Sequence, residues 1–149
     1  MPSLEKFAEM ARKVDLFHGL KSEDVAKIYA KGITLQVEKG NVVFYKGTVG
    51  NQMFIVLGGK IALYSDRKHI ADLHAGDMFG EMALINNDPR SATAVAAETS
   101  NLFVLSETTF QKLMTKRAAI RILLNIIGTL SKRLQDMNAK LVRLERSSE

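Results

Sequence analysis

Between Ile33 and Leu105 the chain repeats one short phrase, a run of β-branched, aliphatic and aromatic residues followed by a turn signal. The runs fall at 33–37, 42–45, 53–57, 60–64, 69–73, 92–97 and 101–105. Their separators are Lys39-Gly40-Asn41, Lys46-Gly47, Gly50-Asn51, Gly58-Gly59, Ser65-Asp66, Gly76-Asp77 and Asn86-Asn87-Asp88-Pro89. Many short strands with turn signals every ~8–12 residues predict a closed antiparallel β-roll of jelly-roll type. A parallel α/β sheet is disfavoured, because no crossover-length helix intervenes.

The flanks read differently. Leu4, Phe7, Ala8, Ala11 and Val14 stand at helical spacing. After the break at Asp15–Leu20, Ser22 is placed to cap a second helix, with Glu23 and Asp24 in its first turn. That helix carries Val25, Ala26, Ile28 and Tyr29, and Gly32 is expected to end it in a left-handed conformation. From Ser106, a second N-cap, the pattern is helical almost to the end. The expected fold is mainly β with flanking helices. N-terminal helices occupy 1–32, the roll 33–105 and C-terminal helices 106–146, within one domain of 149 residues.

Ile120, Leu123, Ile127, Leu130, Leu134, Met137, Leu141 and Leu144 recur at alternating intervals of three and four, the spacing of a coiled-coil seam. The first half is expected to pack on the body of the protein, Leu124 and Ile126 adding apolar width. Beyond Arg133 the stripe narrows between Lys140, Arg143, Glu145 and Arg146, which predicts a homodimer through this helix. Gly128 costs the helix about 1 kcal/mol and is expected to mark a hinge.

Composition removes most enzyme classes. With no Cys, disulfides, thiolate metal sites, iron–sulfur clusters and thiol nucleophiles are excluded. His18, His69 and His74 form no metal-ligand pattern, so a metal-dependent phosphodiesterase, cyclase or cupin oxygenase is not expected, and a haem sensor would rest on His74 alone. The net charge of +5 suggests nucleic acid until it is located. Residues 1–110 hold 12 basic and 13 acidic side chains, residues 111–149 hold 9 and 3, so the excess lies on the C-terminal helix. No specific nucleic-acid partner is expected. No apolar run reaches the ~18–20 residues of a membrane span, and Met1–Lys6 shows no signal-peptide core. A cytoplasmic protein without a membrane partner is expected.

One stretch breaks the strand rhythm. Phe79-Gly80-Glu81-Met82-Ala83-Leu84-Ile85 reads as a helical turn among strands, and Arg90-Ser91-Ala92-Thr93 follows after Asn86–Pro89. A helix start presents amides and a positive dipole end to an anion, and Arg90 offers a bidentate grip on phosphate oxygens. Glu81 beside an anion makes sense as the acceptor for a neighbouring sugar hydroxyl. The bland alternatives are a Glu favoured by the dipole alone and an Arg90–Asp88 surface pair worth under about 1 kcal/mol. On these residues alone both readings stand.

Phe79 to Thr93 resembles the phosphate-binding cassette of the cyclic nucleotide-binding domain family, which includes the bacterial catabolite activator, kinase A regulatory subunits and nucleotide-gated channels. Gly40–Gly47 resembles the early hairpin of that family, Met53–Ile61 its central strand and glycine turn, and the likeness runs from Leu16 into the C-terminal helix. The resemblance implies a non-enzymatic binding module with no catalytic residue, metal or cofactor, whose ligand is cyclic AMP or cyclic GMP. By position Glu81 would take the ribose 2′-hydroxyl and Arg90 the cyclic phosphate, with backbone amides of Ala83, Ser91 and Ala92 on its oxygens. Gly80 would let the backbone approach the ribose, and Leu63, Ile70 and Leu73 would line the base pocket. Met82 stands where Leu is common, and Asn51 where an acid is frequent. Met137 and Asn138 would cap the purine, and Ser91 with Asn138 leans the choice toward cyclic AMP. Ligand binding is expected to close the C-terminal helix over the base, with an unidentified protein as effector. Two other readings are a DNA-associated regulator of the catabolite-activator type, for which only Ser147-Ser148-Glu149 would follow the helix, and a coiled-coil interaction module with a vestigial pocket.

Overall fold

Residues 53–56 and 102–105 are apolar at every position, and the reason is burial on both faces. Side chains alternate along a strand. Phe54, Val56, Leu102 and Val104 enter one hydrophobic cluster, while Met53, Ile55, Phe103 and Leu105 enter a second on the opposite side of the same sheet.

The computed structural model describes residues 2–113 and 116–148. Helices α1 (Leu4–Lys13) and α2 (Ser22–Lys31) flank a 3-10 turn at Asp15–Phe17. The strands are β1 (Ile33–Val37), β2 (Val42–Phe44), β3 (Gln52–Gly58), β4 (Ile61–Ser65), β5 (Lys68–Leu73), β6 (Met78–Phe79), β7 (Thr93–Ala96) and β8 (Ser100–Ser106). A single helical turn, α3 (Met82–Ile85), lies between β6 and β7, and α4 (Glu107–Leu113) and α5 (Lys116–Ser147) follow the roll. One antiparallel sheet runs β1-β8-β3-β6 and the other β2-β7-β4-β5. Between them lies the cluster of Phe54, Val56, Ile61, Leu73, Phe79 and Ala94; on the outer face of the first sheet, the helices bury Phe7, Leu16, Phe17, Val25, Ile28, Ile122 and Ile126. The fold is thus mainly antiparallel β with flanking helices and a long C-terminal helix. The expected span 106–146 includes residues 114 and 115, which lie outside the described residues.

Several local expectations are corrected. Ser22 is the first helical residue of α2; Lys21 holds the cap position without a side-chain hydrogen bond. Gly32 is extended (φ −85°), not left-handed. A Cβ there would collide with the Phe103 ring, so packing rather than backbone freedom excludes a larger residue. β6 has only two residues, too few for any periodicity, and exists because Phe79 and Met78 pair with Phe54 and Ile55 of β3. By contrast, Ser106 caps α4 as expected, accepting from the Thr109 amide at 3.1 Å.

α5 carries two apolar faces. Ala118, Ile122 and Ile126, four apart, are buried against the body. The seam residues Ile120, Leu123, Ile127, Leu134, Met137, Leu141 and Leu144 are all exposed, with Leu130 half-buried. The first half of α5 therefore packs through a face distinct from the seam, and Leu124, expected to widen the buried face, is exposed. The helix runs through Gly128 without interruption.

Candidate functional site

β6 ends at Phe79, and the chain turns sharply at Gly80, whose φ of +73° lies in the region open to glycine. Glu81 follows at the head of α3. The loop 86–89 then returns the chain to Arg90, which is fixed at its backbone: its N–H donates to Thr48 O at 2.8 Å, and the Gly47 N–H donates to its carbonyl at 2.8 Å.

The Arg90 side chain turns inward. Its guanidinium donates through Nη1 to Gly80 O at 3.1 Å and through Nη2 to Gln52 O at 2.7 Å. It lies 4.3 Å from the centroid of the Phe44 ring, a cation–π contact. Two glycines make room for it: a Cβ at Gly80 would stand 2.6 Å from Nη1, and a Cβ at Gly50 would stand 2.6 Å from Nη2. Burial pulls this guanidinium below its ordinary pKa, and the Glu81 charge acts in the opposite direction. A guanidinium carries five N–H donors, so Arg90 keeps donors beyond the two given to carbonyls.

Glu81 is only 3% exposed. Its carboxylate accepts from Nη1 of Arg133 on α5, and Nη2 of the same guanidinium donates to Met78 O at 2.6 Å. Around these three charged groups lies a cavity of about 320 Å³, bordered by Phe44, Leu63, Phe79–Ala83, Asp88–Ala92, Leu130 and Arg133. That volume lies at the lower end of small-molecule sites. A buried carboxylate and a buried guanidinium in one apolar-walled space suit a small ligand carrying both an anion and a hydroxyl donor.

Of the residues singled out by sequence, Gly80, Glu81, Met82, Ala83, Arg90, Ser91, Ala92 and Leu63 border this cavity. The Ala83 amide is engaged within its own turn, donating to Gly80 O at 3.2 Å. Ile70 and Leu73 stand outside the lining. Leu73 pairs with Ile61 and is buried in the roll. Between the pairs Leu63–Ala71 and Tyr64–His69 the register shifts, leaving Ile70 as the extra residue of a bulge, 48% exposed. Met137 and Asn138 are exposed on α5 beyond the cavity. Each helical residue advances about 1.5 Å, so Met137 stands about 6 Å further along the axis than Arg133.

Phe44, Leu130 and Arg133 border the cavity without being expected there from the sequence, where Leu130 reads only as a seam position. Arg133 did carry a signal: it follows Ile122, Ile126 and Leu130 at intervals of four, four and three, a cation continuing the inward face of α5.

The sequence profile of the cyclic nucleotide-binding domain matches residues 34–117, more than half of the chain. The chain belongs to the cyclic nucleotide-binding domain family. It is 38% identical over 112 residues to a cyclic nucleotide-gated potassium channel of Rhizobium etli, covering 75% of this chain and 31% of the channel. It is 30% identical over 131 residues to the cyclic AMP receptor protein of Thermus thermophilus, covering 85% of this chain and 60% of the receptor. The crystal structure of the Thermus thermophilus catabolite activator protein superposes with a TM-score of 0.78 at 30% identity, covering 88% of this chain and 63% of that one. The chain thus spans less than two thirds of the length of these relatives. Among the described residues no helix is long and apolar enough to cross a membrane, and no group of three or more His, Cys, Asp and Glu could hold a metal ion.

Proposed function

We propose that this domain is a non-enzymatic sensor for a cyclic purine nucleotide, with cyclic AMP preferred over cyclic GMP. The observation that carries this reading is the pairing of buried Glu81 with buried Arg90 on the border of one cavity. A cyclic phosphate is a monoanion, and the remaining Arg90 N–H groups with the Ser91 and Ala92 amides suit its oxygens. The ribose 2′-hydroxyl donates to Glu81, and Gly80, lacking a side chain, allows the sugar to approach. Leu63 and Leu130 offer apolar surface to the base. Ser91, and a relative named as a cyclic AMP receptor, support the choice of cyclic AMP.

Ligand binding shifts α5 so that Met137 and Asn138 move from their exposed positions to cover the base, a population shift driven by interactions with the base that only the closed state makes. The outward stripe from Ile120 to Leu144 is an exposed apolar surface that a second copy of this chain would cover as a two-stranded seam. An effector protein reads the resulting helix position. Thermal unfolding with cyclic AMP, cyclic GMP and 5′-AMP tests the reading. Cyclic AMP at 100 times its dissociation constant should add about 2.7 kcal/mol of stability. Absence of a shift with either cyclic nucleotide would overturn it.

A further inference from the structure

A second concave surface lies apart from the ligand cavity and shares none of its lining residues. One wall is the start of α5, where Arg117, Ile120, Arg121 and Leu124 share a face by their helical spacing. The other is the loop Gly19-Leu20-Lys21 that enters α2. Together they enclose about 510 Å³. Three cations, Lys21, Arg117 and Arg121, border this space against one carboxylate, Asp24. Among the described residues none of the three forms an ion pair. On the same face of α5, Ile120 is 59% exposed and Leu124 51%. We propose that this groove is the docking site for an acidic amphipathic helix of a partner protein, whose aliphatic side chains cover Ile120 and Leu124 and whose carboxylates meet Lys21, Arg117 and Arg121.

Three features support this occupant. The walls are fixed to one another: Asn125 Nδ2 donates to Leu16 O and His18 O at 2.8 Å each, clamping the loop onto α5. The Arg121 side chain lies across that loop at Gly19, where a Cβ would stand 3.1 Å from its Cδ and Nε. A groove shaped before its partner arrives costs less to occupy. The charge, secondly, is complementary to an acid and opposed to a second copy, since a two-fold contact would set Arg117 and Arg121 against their own equivalents. Thirdly, exposed Ile120 and Leu124 favour a helix with an apolar face over a phosphate surface, because phosphates leave aliphatic area uncovered. From Arg117 to Leu124 the groove runs about 10 Å along α5, room for about two turns of a partner helix. Docking here needs no bound nucleotide, so it stands or falls apart from the sensor reading.

The probe is a fluorescein-labelled synthetic helix with Leu at alternating intervals of three and four and Glu elsewhere, titrated with the full chain and followed by anisotropy. Its controls are a scrambled peptide of the same composition and a version with Lys in place of Glu. The Leu/Glu helix should bind roughly tenfold or more tightly than either control, and raising salt from about 0.05 to about 0.5 M should weaken it severalfold. Arg117→Glu combined with Arg121→Glu, and separately Leu124→Asp, should each weaken it about tenfold or more. Circular dichroism and the urea midpoint should stay native in both variants, because these side chains are exposed. Amide shifts in NMR caused by the peptide should centre on Gly19–Lys21 and Arg117–Leu124. Equal binding of the scrambled peptide, binding retained in the double charge reversal, or no binding of the Leu/Glu helix would overturn the proposal. In that last case, phosphatidylserine vesicles or duplex DNA bound by the native chain and lost in the charge reversal would make the groove a phosphate surface. A dimer in sedimentation that Leu124→Asp dissociates would overturn it in favour of a second copy.

Discussion

Three glycines around Arg90 allow backbone strain and guanidinium position to be separated. Gly47 has φ +85° with nothing within 4 Å of a built Cβ, so Gly47→Ala introduces left-handed strain and no collision. Gly50 has no positive φ, yet its Cβ would stand 2.6 Å from Arg90 Nη2, so Gly50→Ala introduces a collision and no strain. Gly80→Ala introduces both. The strain of a left-handed residue is about 1–2 kcal/mol. For the collision, ordinary contact lies near 3.5 Å, so the guanidinium must retreat by about 0.9 Å. Such a retreat breaks the 2.7 Å bond to Gln52 O, and a charge-assisted bond is worth about 1.5–3 kcal/mol. Gly47→Ala is thus expected to lose about 1–2 kcal/mol and Gly50→Ala about 1.5–3 kcal/mol in urea unfolding, two overlapping ranges. Their affinities for cyclic AMP in calorimetry should diverge. Gly47→Ala should bind within about twofold of the native protein, and Gly50→Ala roughly ten- to a hundredfold more weakly, since the donor proposed for the phosphate has moved. Gly80→Ala should combine the larger stability loss with the weak binding. Native affinity in Gly50→Ala would refute the argument that two glycines set the position of the guanidinium proposed to hold the phosphate.

Other consequences can be checked more briefly. Arg90→Leu should abolish the thermal shift produced by cyclic AMP, because the cavity then presents a buried carboxylate to an anion. Ile126→Ala should cost about 2–5 kcal/mol in chemical unfolding, since Ile126 is fully buried. Ile127→Ala, one position on and 60% exposed, should leave monomer stability within about 0.5 kcal/mol. Leu134→Glu and Leu141→Glu, on the outward stripe, should shift sedimentation toward monomer; a protein that is already monomeric at high concentration would refute the seam. The Asp72 carboxyl accepts a 2.7 Å bond from His69, which holds it below the ordinary carboxylate value. A depressed folded-state pKa gives stability that is present above the unfolded value and lost as pH falls through the folded one. The Asp72 titration followed by NMR should move upward in His69→Ala.

Much of this molecule was legible from its residues because the signals were local. Turn glycines at 40, 47, 59 and 76 and the apolar runs between them located the strands, and the motif from Gly80 to Arg90 located the cavity border. The three–four spacing from Ile120 to Leu144 marked a continuous helical stripe. What the sequence by itself determined is therefore periodicity, turn chemistry and the two charged residues, Glu81 and Arg90, that stand on the cavity border. Tertiary structure decided the rest, since each remaining feature depends on atoms far away in the chain. The bulge at Ile70 is set by pairing with β4, and the extended Gly32 by the Phe103 ring. The inward face of α5 is set by the hydrophobic cluster it covers. Local pattern marks Arg133 only as a cation on the inward face of α5: a buried carboxylate requires a cation, and the docking of α5 decides that Arg133 meets Glu81.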